Sequence, residues 1–319
     1  MANIQDVAKA AGVSVTTVSR VLNNHPYVKK EKEEAVKKAI IETGYIPNIN
    51  AVNLKKGKTH LVGVVLPFLD HPYFSQLVQG VSQAASVHQY KLVLYQTGYH
   101  EEQEMEALEM LKLKQIDSLI ICSRKISLDK VAHYREYGKI VLFENGEKMP
   151  LSYTFVDHYA CFMKALEYLY ERGHREIGFS INRLEGTNGR QREQAYRDFL
   201  KLKELPYNEN YIFKNCLYIE DGERILKEIS ISWKRPTAIL ATSDQVAAGI
   251  ITSSSKYQFK IPDDLAVIGF DNQPIARAMN ITTVNIPLYS IGQLLFEQAI
   301  SDHVSYKEVT AELIVRSTV

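Results

Sequence analysis

From Leu61 onward, short apolar runs alternate with amphipathic stretches, and this alternation limits the fold of the 319-residue chain more than any other feature. LVGVVL (61–66), KLVLY (91–95), SLIIC (118–122) and KIVLF (139–143) have strand length. Residues 74–88, 101–114 and 127–137 between them have helical spacing. IGFSI (177–181), TAILA (237–241) and LAVIGF (265–270) repeat the pattern, with helices near 158–172, 190–203, 221–231 and 244–255. Strands and helices in strict alternation predict an α/β body with parallel sheets. Seven such units are too many for one small sheet, so two doubly wound, parallel-sheet subdomains are expected. Ligands of such sheets bind beyond the strands' carboxyl ends.

The first 46 residues follow a different rule and predict an all-α headpiece. Asn3 can cap a helix, with Asp6 three residues on. Ile4, Val7, Ala8 and Ala11 then share one apolar helical face. Gly12 ends that helix, Val13 fills the turn, and Ser14 can cap a second helix from Val15. Val18 and Leu22 turn the second helix back on the first, leaving Val15, Thr16, Thr17 and Arg20 outward. Two short helices joined by a glycine turn, with small polar and basic residues on the outer face of the second, form a helix-turn-helix that reads the DNA major groove. Lys30 to Thr43 is a third helix, with Val36 and Ile40 inward and Gly44 as its stop. Charge is distributed to match. Residues 1–58 carry ten Lys/Arg against five Asp/Glu, whereas the remainder carries 28 against 32. A basic head on a mildly acidic body suits a head that meets phosphates.

Other classes find little support. No apolar run is long enough to span a membrane, and MANIQDV has no signal-peptide character, so a cytoplasmic protein is expected. Cys122, Cys161 and Cys216 are odd in number and far apart, which argues for reduced core thiols and against a disulfide or metal framework. GKT at 57–59 lacks the glycine and strand of a phosphate-binding loop, since Val52 stands where that glycine belongs. No nucleophile elbow, dinucleotide fingerprint or zinc motif occurs. No catalytic residue, metal or cofactor is therefore assigned, and an enzyme is not expected.

DVAKAAGVSVTTVSRVLN (6–23) resembles the opening of the lactose-repressor family of bacterial transcription regulators, nearly residue for residue. RGHREIGF (172–179), PTAILATSDQVAAG (236–249), IPDDLAVIGFDN (261–272), ITTVNIP (281–287) and ELIVRST (312–318) continue the likeness over almost the whole chain. The resemblance implies a headpiece at 1–46, a hinge helix at 47–58 and a periplasmic-binding-protein-like body at 59–319. Lobe one would span about 59–157 and 286–310, and lobe two about 158–285 and 311–319, with an effector cleft between them. It implies a homodimeric regulator, most often a repressor, on a pseudo-palindromic operator. Thr16 and Arg20 would contact bases, Val15 a thymine methyl, and Ser14, Thr17 and Tyr27 phosphates. Leu54 would wedge into a minor-groove step. Departures include Val52 for the hinge arginine, Lys29 and Lys32 near the start of the third helix, Val81-Ser82 for Ile-Glu and Asp117-Ser118 for Asp-Gly. No tetramerising heptad follows, so a dimer is expected.

For the effector, the resemblance points to Tyr73 and Phe74 after the first strand, Glu144 after KIVLF, Arg192 in the segment 188–196, Ser243 where relatives carry Asn, and Asp271 at a strand end. Arginine presents a planar fork to carboxylates, phosphates or paired hydroxyls. Asp244 is expected to cap a helix, and His174 to make a local structural hydrogen bond. A sugar or sugar phosphate is the expected effector. A purine, or a phosphorylated carrier protein acting as corepressor, is the alternative, and AVNLKKG wording faintly resembles the catabolite control repressors of Gram-positive bacteria.

Overall fold

The computed structural model describes residues 2–23, 25–46, 57–146 and 149–319. The hinge positions Ala51, Val52 and Leu54 lie outside the described residues. The chain divides between Thr59 and His60 into two compact units.

The first unit is a three-helix cluster. Helix α1 (Ile4–Ala10) opens with a reciprocal capping box. Asn3 Oδ1 accepts from the Gln5 and Asp6 N–H groups at 2.8 and 3.2 Å, and Asp6 Oδ2 accepts from Asn3 N at 2.9 Å. Gly12 takes φ +64°, a left-handed conformation that lets the chain turn tightly into α2 (Val15–Leu22). Helix α3 (Lys30–Thr43) ends at left-handed Gly44. Val7, Val18 and Val36, one from each helix, are fully inaccessible to solvent and form the centre of the small core. Ala39 is buried more deeply than the expected Ile40. Lys29 stands at the N-cap of α3 with no side-chain cap bond, while Glu31 and Glu33 in the first turn oppose the unfavourable lysines there.

The second unit holds two six-stranded sheets. The first sheet contains β1 (Leu61–Leu66), β2 (Lys91–Gln96), β3 (Ser118–Ile121), β4 (Lys139–Leu142), β5 (Ser152–Phe155) and a late strand, β11 (Tyr306–Glu308). Their order is β11-β5-β4-β3-β1-β2, all parallel. Helices α4 (Pro72–Val87), α5 (Glu101–Lys112) and α6 (Leu128–His133) connect them. The second sheet contains β6 (Ile177–Ile181), β7 (Ile212–Lys214), β8 (Ala238–Ala241), β9 (Ala266–Phe270), β10 (Thr282–Asn285) and β12 (Glu312–Ile314). The order is β12-β10-β9-β8-β6-β7. Its helices are α7 (His158–Glu171), α8 (Thr187–Leu202), α9 (Ile219–Ser230), α10 (Asp244–Ser253) and the short α11 (Pro274–Ala278). Helix α12 (Leu288–Ile300) returns to the first sheet and packs along α4. Gly80 and Gly292 make that packing possible. A Cβ at Gly80 would lie 2.0 Å from Tyr289 O, and one at Gly292 2.2 Å from Leu77 O.

The chain thus passes between the lobes after β5, after β10 and after β11. The last passage explains the one departure from an all-parallel arrangement. Strand β11 ends on the side where the strands' carboxyl ends gather, so β12 enters lobe two from that side. It therefore runs antiparallel to β10. Strands β1, β3, β6, β8 and β9 are almost wholly buried, as helices on both faces of a parallel sheet require. Strands β5, β7 and β11 carry no apolar run of strand length, being short and partly exposed.

Candidate functional site

The headpiece surface is built by α2. Ser14 Oγ accepts from Thr17 N at 3.2 Å and lies 2.9 Å from the Thr17 hydroxyl, so the cap also fixes where these two hydroxyls point. Val15, Thr16 and Arg20 are exposed, and Thr17 is half-buried. Val15 keeps 41% of its surface. Tyr27 is exposed, with its ring 5.7 Å from that of His25.

In the body, a cavity of about 370 Å³ opens between the two lobes. Its walls are the segments directly after β1, β2, β3, β4, β6, β7, β8 and β9, the place parallel sheets reserve for ligands. Tyr73, Phe74, Glu144, Arg192, Ser243 and Asp271 all line it. Tyr73 stacks on Phe143, with ring centroids 6.1 Å apart, and meets Phe74 edge-on at 4.9 Å. Phe74 is largely within the core.

Asp271 and Arg192 form the polar centre. Asp271 is buried, and its Oδ2 accepts from Gln273 Nε2 at 3.2 Å while Oδ1 has no partner among the described residues. Burial pushes its pKa up to about 7, against the opposing effects of Arg192 and Gln273. Arg192 lies over Phe270, its guanidinium carbon 4.8 Å from the ring centroid. Its Nη2 donates to His158 Nδ1 at 3.3 Å, and its Nε is buried and unpartnered. Burial, and then the Arg192 charge, hold the His158 pKa well below the usual histidine value, so a neutral ring accepts this bond.

One position differs from expectation. Ser243, not Asp244, caps α10, its Oγ accepting from Gln245 N at 3.2 Å. Asp244 turns inward instead. Its oxygens accept from the Thr283 hydroxyl and from Gln273 N, each at 2.7 Å, and tie together the loops that present Asp271. Asp244 is fully buried, and a Cβ at Gly269 would lie 2.1 Å from its Oδ1. Glu144 is also committed: Arg124 binds both of its oxygens, and the Thr187 hydroxyl donates to Oε2 at 2.6 Å. His174 makes a structural hydrogen bond, but not a local one: its Nδ1 lies 3.0 Å from the hydroxyl of Thr237, which immediately precedes β8.

Sequence reading missed the residues that bridge the cleft. His71 caps α4, its Nδ1 accepting from Tyr73 N, and its Nε2 lies 3.3 Å from Leu217 O and 3.4 Å from Ser243 Oγ in lobe two. Tyr218 donates to Asp70 at 3.2 Å. On another wall, Arg183 of lobe two lies over the Tyr99 ring of lobe one at 3.7 Å and donates to Arg124 O at 3.3 Å. The only sequence signal was position, since each follows a strand end. The three thiols are free, and burial pushes those of Cys122 and Cys216, which line the cavity, up to about 12 and about 11. Such thiols are poor nucleophiles. Among the described residues no cluster suits a metal ion, and no helix is long and apolar enough to cross a membrane.

These features agree with known proteins. Residues 3–48 match the model of bacterial regulatory proteins of the lacI family, and residues 59–316 that of periplasmic binding proteins and the sugar binding domain of the LacI family. The NTD biosynthesis operon regulator NtdR of Bacillus subtilis (strain 168) is 38% identical, covering 100% of both chains. Catabolite control protein B of the same organism is 36% identical, covering 95% of each. Among solved structures, a LacI family transcriptional regulator from Lactobacillus casei with bound sucrose has a TM-score of 0.75 at 26% identity, over 81% of this chain and 99% of that one. The helix-turn-helix headpiece, the two-lobed α/β body and these matches place the chain in the LacI family of bacterial transcription regulators.

Proposed function

We propose that this regulator is a homodimeric repressor of a pseudo-palindromic operator, switched by a polyhydroxylated small molecule, a sugar or sugar derivative, bound in the interlobe cleft. The observation that carries the ligand reading is the pair Asp271 Oδ1 and Arg192 Nε. Both are buried, unpartnered, and on residues lining one cavity. Buried polar groups without partners are costly, and vicinal hydroxyls satisfy such a pair, donating to the carboxylate and accepting from the guanidinium. Tyr73 and Phe74 supply an apolar wall for a sugar ring, and Ser243 a hydroxyl beside it. On the DNA side, Arg20 and Thr16 reach base edges, Val15 packs on a thymine methyl, and Ser14, Thr17 and Tyr27 meet phosphates. The wedge role of Leu54 rests on sequence alone. Ligand acts by favouring one lobe arrangement over another, which requires different affinities for the two.

Thermal unfolding of the full chain against sugars, sugar phosphates and purines tests the ligand reading. A sugar-type ligand at about 100 times its Kd should stabilise the protein by about 2.7 kcal/mol. Asp271→Asn should abolish the gain. A response to purines alone overturns the polyol reading in favour of a nucleobase effector, and a response to none of the panel overturns it and moves the search to a protein corepressor.

A further inference from the structure

The cleft carries more positive charge than its carboxylates balance. Arg124, Lys125, Arg183, Arg190 and Arg192 line it, against Glu144, Glu185 and Asp271. Arg124 and Glu144 cancel as an ion pair. Among the described residues, no carboxylate forms an ion pair with any of the other four cations. Among the described residues, the Arg190 side chain bonds the backbone oxygen of Glu185 and no carboxylate.

Arg183 is the most closely positioned of them. The Tyr99 ring supports one face of its guanidinium, and Nη2 is used on Arg124 O. Nη1 is buried without a partner. Asp271 and Arg192 lack one partner each, so the cleft leaves three polar atoms unmet, two of them on cations. The first turn of α8 stands beside Arg183. Gly189 approaches so closely that a Cβ there would lie 2.1 Å from Arg183 O. Gly186, Thr187 and Asn188 line the same cavity, and Gly186 caps the 16-residue helix without a side chain. A helix start adds positive potential to that of the arginine.

We propose that the effector bears an anionic group, a phosphate or a carboxylate, on its polyol body, and that Arg183 binds that group while Asp271 and Arg192 hold hydroxyls. This rests on the polyol reading of the cleft for its second half only. A neutral sugar hydroxyl can accept from Nη1 but leaves the excess positive charge of the cleft unbalanced, whereas an anion meets both the donor and the charge with a charge-assisted bond.

The test is calorimetric titration of the full chain at fixed ionic strength with four probes: inorganic phosphate, glucose, glucose 6-phosphate and glucuronate. Proteins compared are the native chain, Arg183→Gln, Arg183→Lys and Asp271→Asn, each checked for an unchanged circular dichroism spectrum. Inorganic phosphate should bind the native chain and be lost at least tenfold in Arg183→Gln. Arg183→Lys should retain most of the affinity, which a purely structural role for the guanidinium would not allow. At least one anionic sugar should bind tenfold or more tighter than glucose, and which one distinguishes phosphate from carboxylate. Asp271→Asn should weaken the sugars and spare phosphate. Phosphate binding that survives Arg183→Gln, as it would if held by the headpiece, overturns the proposal. So does glucose binding as tightly as its anionic counterparts, a result that leaves the polyol reading standing. Phosphate bound through Arg183 with no sugar bound is the reverse: the anion site holds and the polyol reading fails.

Discussion

Asp271 has φ +92°, a conformation that an L-residue adopts only when its surroundings enforce it, and one of its buried oxygens lacks a partner. Strain and an unmet polar atom on one residue mark a site kept for binding at some cost in stability. The sign of its pH dependence follows from the raised pKa. The unfolded carboxyl titrates near about 3.9 and the folded one near about 7. The folded state holds the proton more tightly, so this contribution to stability is complete below about pH 4 and is lost as pH rises through about 7. Asp271→Asn cannot titrate. Melts from pH 4 to 8 should therefore favour the variant increasingly with pH, by up to about 1.4 kcal/mol per unit; parallel curves would contradict the assignment. On the headpiece, Arg20→Ala should weaken specific DNA binding by about 1–3 kcal/mol and relax one base position, measurable by anisotropy on operator variants. Unchanged specificity would remove Arg20 from the base-reading set. At this scale the sequence was informative where chemistry coincides with a strand end, as at Asp271, or with a family pattern on a helix, as at Arg192. It was silent on Arg183 and His71, whose importance depends on which residues of the other lobe stand opposite them.

Among elements, the headpiece helices were legible nearly to the residue, because Asn3, Gly12, Ser14 and Gly44 are local signals with local causes. Helix α3 lacks one such signal. Lys29→Ser should add the missing cap and stabilise the headpiece by about 0.5–2 kcal/mol, read as slower amide exchange in the first turn of α3. No slowing would mean that the first turn is already satisfied. The strands β5, β7 and β11 were illegible, since each is three or four residues long and partly exposed, and β7 and β11 take their places at sheet edges rather than from apolar content. The pairing of α4 with α12 was likewise hidden, because the contact joins residues more than 200 positions apart. Gly80→Ala should force these helices apart and cost about 1–3 kcal/mol in unfolding free energy, without altering the headpiece.

For the whole molecule, alternation and motif together made the two-sheet body and helical head predictable, and the antiparallel β12 follows only from the third passage between lobes. The body holds its cleft with bonds of its own on two walls: His71 and Asp70 to lobe two on one, Arg183 and Thr187 to lobe one on the other. In the proposed function, ligand and bridges act on the same lobe arrangement, and this gives a small molecule in the body its leverage on the headpiece's DNA. The central claim is this coupling. Its most direct test is fluorescence anisotropy of an operator selected from random DNA, titrated with the protein at fixed salt in the absence and presence of a saturating cleft ligand. The account predicts an affinity change of about 5- to 150-fold for the native chain and none for Asp271→Asn. Operator affinity that is unmoved while calorimetry shows the cleft occupied would contradict it.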